Sequence, residues 1–145
     1  MHLKHLYRFC LFAFLIFCLI VGYKVHLYSH RSYLEVVRLN WGIELPKDGN
    51  EIYSTDSGPS FHGDGVRFHI FQYNHELTFP DRETETSSIE NVSALLTQLA
   101  VPLEHRPDLD HVTLVELHAK KDQRNTLYLL YDTEEQRLFI LENFY

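Results

Sequence analysis

A chain of 145 residues, 45% hydrophobic, with ten Phe and nine Tyr against six Gly and five Pro, can bury one modest core, and this composition excludes the disordered and fibrous classes. Its charge is segregated: residues 1–31 carry Lys4, Arg8, Lys24 and Arg31 and no acid, while residues 32–145 carry all twenty Asp and Glu against nine Lys and Arg, a net of −11. So acidic a domain repels phosphate, which excludes nucleic acid as a partner.

Residues 1–8 read as a short basic tail. From Phe9 to Tyr23 the chain is apolar without a break for fifteen residues. At about 1.5 Å per residue that run spans roughly 22 Å, short of a ~30 Å hydrocarbon core. Leu6 and Tyr7 can extend it, Tyr7 and Tyr23 suit the interface, and Arg8 and Lys24 can snorkel outward. The expectation is a single transmembrane helix over residues 9–27. A cleaved signal peptide would need small residues before the cut, and Val21-Gly-Tyr-Lys-Val-His-Leu-Tyr28 offers no such site. A lipoprotein signal would need a small residue before its cysteine, whereas Cys10 and Cys18 each follow Phe. A core helix apolar on every side is hard to hide in a domain this small. The basic residues weigh toward the N-terminus inside the cell and the C-terminal domain outside. Because both cysteines lie in this run, residues 32–145 can hold neither a disulfide nor a thiolate metal site.

From Ser32 the spacing of Tyr33-Leu34, Val36-Val37 and Trp41 predicts a two-turn helix ending near Gly42. Pro46 and Asp48-Gly49 are turn signals. Glu51–Asp56 and Val66–Tyr73 then read as a hairpin, with Val66, Phe68 and Ile70 on one face. Residues 81–88 form a polar connector. Ser87-Ser-Ile-Glu90 is a capping box, and Ile89, Val92, Leu95-Leu96 and Leu99 make the stripe of the helix it opens, with Pro102 beyond its end. Thr113–Lys120, Thr126–Tyr131 and Arg137–Glu142 read as a meander of strands joined by short turns. The expected fold is α+β: a transmembrane helix followed by a two-layer domain over residues 32–145. That domain has a mainly antiparallel five-stranded sheet and one or two helices.

The candidate site is the loop Ser57–Gly65, where Phe61, His62 and Asp64 place an aromatic, a titratable base and a carboxylate among glycines at 58, 63 and 65. The competing reading is a hairpin loop whose glycines serve turn geometry. Six histidines fall in the soluble domain, but none stands in a close His-x-x-x-His pair, so no metal site is read. On the strands, His69 shares a face with Arg67 and His118 with Glu116, a pattern ordinary for exposed histidines. Ser60, His62 and Asp64 lack a Gly-x-Ser-x-Gly elbow, so no catalytic residue and no cofactor is assigned. Asn91-Val-Ser93 is a formal glycosylation sequon inside the predicted helix.

Tyr53-Ser-Thr-Asp-Ser57, Phe61-His-Gly-Asp-Gly65 and Tyr131-Asp-Thr-Glu-Glu135 together resemble short membrane-anchored proteins of Gram-positive bacteria without assigned activity. That resemblance implies an outward-facing domain and carries over no catalytic residue. The expected function is a non-enzymatic binding or regulatory module at the cell envelope, with an envelope protein as partner. The alternative is an envelope-associated hydrolase using His62 and Asp64.

Overall fold

A computed structural model of the chain describes residues 14–23, 32–58, 64–78, 86–118 and 124–145, which fall into two compact units divided between Lys47 and Asp48. In the first unit, residues 14–23 form a helix, α1, with every side chain exposed, Phe14 to 63% and Leu19 to 73%. Among the described residues no helix is long and apolar enough to cross a membrane. The rest of the predicted anchor, like the tail before it, lies outside the described residues. The second helix of this unit, α2, is Tyr33–Trp41. Its first turn is capped by the Ser32 hydroxyl, which accepts from the Leu34 amide, and its last by Gly42 at φ 70°, whose amide donates to the Arg38 carbonyl. Arg38 grips Glu35 one turn earlier through two hydrogen bonds of 2.6 and 3.0 Å.

The second unit holds the sheet. Its strands are β1 (Asn50–Asp56), β2 (Gly65–Gln72), β3 (Thr113–His118), β4 (Thr126–Asp132) and β5 (Arg137–Phe144), and helix α3 is Thr86–Gln98. Every neighbouring pair is antiparallel, in the order β1-β2-β5-β4-β3. This is the expected α+β arrangement with five antiparallel strands. Both hairpin readings stand, β1 with β2 and β3-β4-β5 as a meander. Between them the last strand inserts beside β2, so α3 carries the chain from one half of the sheet to its far edge.

On one face, Val66, Phe68 and Ile70 of β2, Leu114, Tyr128 and Leu130 of β3 and β4, and Phe139 and Leu141 of β5 bury against Val92, Leu95 and Leu96 of α3. The apolar stripe read from the sequence is thus the packed face of that helix. The helix begins at Thr86, within the predicted connector, while the Ser87 side chain of the capping box, residues 81–85 of the connector and residues 119–120 of the predicted third strand lie outside the described residues.

The opposite face is buried as well. Leu127, Leu129 and Tyr131 of β4 and Leu138, Ile140 and Glu142 of β5 are at most 2% exposed. The expected two-layer arrangement, with α3 on one face, does not by itself account for this burial. Burial runs unbroken from Thr126 to Tyr131 and from Leu138 to Glu142. Strands apolar on both sides would lose about 1.5–3 kcal/mol for each large side chain left in water, so neither face stays open.

Candidate functional site

Helix α3 stops because Ala100 turns left-handed, at φ 51°, letting the Val101 amide return to the Leu96 carbonyl and the Ala100 amide to Thr97. Arg106 then reaches back to the same helix end, its Nε donating to the Val101 carbonyl at 2.8 Å and its Nη2 to the Leu96 carbonyl at 3.4 Å. A cation at a helix C-terminus offsets the partial negative charge there. This anchor holds a 3₁₀ turn, Leu103–His105, and the segment after it against the sheet.

Local hydrogen bonds shape the two segments that flank this part of the sheet. On one side, the Asp108 carboxylate accepts the Asp110 amide at 3.2 Å and holds His111 Nδ1 at 2.9 Å. That contact draws the Asp108 carboxyl below its usual range and raises the His111 imidazole. Asp110 and Glu134 raise His111 further, though less than Asp108 does. On the other side, the turn between β4 and β5 forms because Asp132 Oδ1 accepts the amides of Glu134 and Glu135, with Gln136 left-handed at φ 53°. Gln72, at the end of β2, donates to the carbonyls of Glu135 and Gln136 and accepts from Arg137 Nε, and Arg137 also pairs with Glu135.

Between these two segments lies an open cleft of about 710 Å³, on the scale of ligand-binding sites (about 300–1,000 Å³). Its floor is apolar, made by Ile70 and Phe139 of the sheet with Ile52 at its edge. Ile52 falls where the β1–β2 pairing shifts by one residue between Glu51 and Tyr53, and it stays 43% exposed. One wall carries Glu104, His105, Asp108 and His111, and the other Asp132, Glu134, Glu135 and Arg137. The His105 ring stacks on Tyr53 at 4.0 Å, which ties the first wall to β1.

The sequence singled out Phe61, His62 and Asp64. Phe61 and His62 are outside the described residues. Asp64 is exposed and precedes β2, at the end of that strand opposite Gln72 and the cleft. Around it the turn reading finds direct structural reasons. Ser57 Oγ accepts the Val66 amide at 3.0 Å, Asp56 Oδ1 accepts the Gly58 amide at 2.7 Å, and Gly65 sits at φ 140°. His69 departs from the expectation of an ordinary exposed histidine. Its side chain is only 13% exposed, its Nδ1 lies 2.6 Å from Glu51 Oε1, and burial lowers its pKa more than Glu51 raises it. Among the described residues no group of His, Cys, Asp and Glu could hold a metal ion.

No family model, no curated protein and no solved structure matches this chain. The cleft residues therefore carry the functional reading alone. A dense charged run was their one sequence signal: Glu104-His-Arg-Pro-Asp-Leu-Asp-His111 packs six polar or charged positions around Pro107 and Leu109. Its partner wall, residues 132–137, is more than twenty residues away and reaches it only through the strand order.

Proposed function

We propose that this chain is a single-pass, membrane-tethered binding module. Its N-terminus is cytoplasmic, and its acidic domain faces outward and recognises an envelope protein through the cleft between the 104–111 segment and the β4–β5 turn. The cleft itself carries this reading: an open concavity with an apolar floor and charged walls, built on a sheet and clamped at both sides. The tether is supported by α1, whose apolar side chains all stand exposed within the fifteen-residue apolar run of the sequence. A hydrolase working through His62 and Asp64 has less support, because Asp64 is exposed and contributes nothing to the cleft.

The test is photocrosslinking in native membranes, with a benzoyl-phenylalanine replacing Glu134 in one protein and Asp64 in another. A discrete adduct from position 134 and none from position 64 is the expected outcome. Adducts from position 64 alone would move the recognition surface to the loop and overturn the cleft assignment.

A further inference from the structure

Resting on that reading, we infer that the cleft takes a cationic, partly aliphatic stretch of polypeptide: one or two Lys or Arg side chains between the walls, with an aliphatic neighbour on the floor. Five carboxylates line the space, on Glu104, Asp108, Asp132, Glu134 and Glu135, against the guanidiniums of Arg106 and Arg137 and the imidazoles of His105 and His111, the last of these already held by Asp108. Both guanidiniums are already engaged within the protein, Arg106 on the carbonyls that end α3 and Arg137 on Glu135 and Gln72. Neither is held out for an anionic ligand.

The acids divide differently. Asp132 accepts the amides of its own turn, Asp108 holds His111, and Glu135 pairs with Arg137. Glu104 and Glu134 remain, both exposed and on opposite walls. Glu134 adds, least of the nearby acids, to the rise of the His111 imidazole on the facing wall. Carboxylates on both walls of a cleft with an apolar floor give it negative potential, and the complementary occupant is positive. The floor of Ile52, Ile70 and Phe139 adds a requirement that a simple cation does not meet, an apolar group beside the charge. A polypeptide segment with Lys or Arg next to Leu or Val meets both.

The experiment uses the full-length chain in a nonionic detergent and two fluorescent pentapeptides, Leu-Lys-Val-Arg-Leu and Leu-Glu-Val-Glu-Leu, read by anisotropy. The basic peptide is expected to bind and the acidic one to bind at least about tenfold more weakly. Raising salt from about 0.05 to about 0.5 M should weaken the basic peptide several-fold. The double variant E104K/E134K should lose about tenfold or more in affinity, and E104Q/E134Q should fall between it and the parent. Both replaced positions are exposed, so unchanged melting temperatures are expected and confirm that folding is intact.

Equal binding of the two peptides, or undiminished binding by E104K/E134K, would overturn the inference. So would a self-associated form, seen by sedimentation, that E104K/E134K disrupts, since the occupant would then be a second copy. If position 134 crosslinks a partner in membranes while the basic peptide is ignored, the cleft keeps its role and only the cationic specificity falls.

Discussion

Glu142 lies in the fully buried stretch of β5, in register with Arg67 of β2 and Leu127 of β4, and burial pushes its carboxyl up to about 7. The ordinary glutamate value is 4.5. Below pH 4.5 the group is protonated whether the chain is folded or not, and stability is at its fullest. Between 4.5 and 7 the unfolded chain ionises first, so stability falls as pH rises, and above 7 the loss is complete. A separation of this size is worth about 3 kcal/mol at most. His69 acts in the opposite sense: burial lowers its pKa, so its contribution is present at neutral pH and lost as pH falls below the ordinary 6.5. Replacing Glu142 with Gln keeps the shape and removes one of the two. E142Q should gain stability over the parent at pH 8 and gain little at pH 5, measured as urea midpoints. An equal gain at both pH values would mean that Glu142 is not the group responsible. Alternation along Leu138-Phe-Ile-Leu-Glu142 shows from sequence that Glu142 shares a face with Leu138 and Ile140, but not that this face is covered.

At the scale of elements, the return from β1 to β2 depends on backbone conformations that few residues adopt. A Cβ at Gly65 would run into Ser57 Oγ, and the φ of 140° is strained for any L side chain. Gly65→Ala should therefore cost about 1–3 kcal/mol and lower Tm by several degrees, whereas Ala in place of exposed Asp64 should move it little. A melting temperature unchanged by Gly65→Ala would remove the turn explanation. Beyond residue 31 the helices and strands could be read from their own residues, and the 3₁₀ turn Leu103–His105 could not. The stripe Val92, Leu95, Leu96 has helical spacing, Ser32 and Gly42 bracket α2, and Asp132-Thr-Glu-Glu135 spells the turn it forms. These signals act over four residues or fewer, the range across which capping, turn hydrogen bonds and side-chain periodicity operate. Ala100 departs from that legibility: helix ends of this kind usually take glycine, and the alanine conceals the stop until Pro102.

For the whole molecule, the proposed membrane tether rests on the exposed apolar helix α1 and is open to a direct test. The full-length protein should stay with the membrane pellet through an alkaline carbonate wash, and release of a form beginning beyond residue 22 would instead mean that the segment is cleaved. The acidic composition, the absence of cysteine beyond residue 18 and the α+β succession of elements are properties of the sequence alone, because each rests on counting or on local spacing. The strand order β1-β2-β5-β4-β3 is not, nor is burial on both faces of the central strands. Register between strands tens of residues apart follows from the summed apolar area that each pairing removes from water, a quantity no single segment carries. For the same reason Phe61, His62 and Asp64 drew notice as neighbours in sequence, whereas Glu104 and Glu134 line one cleft only because β5 is seated between β2 and β4.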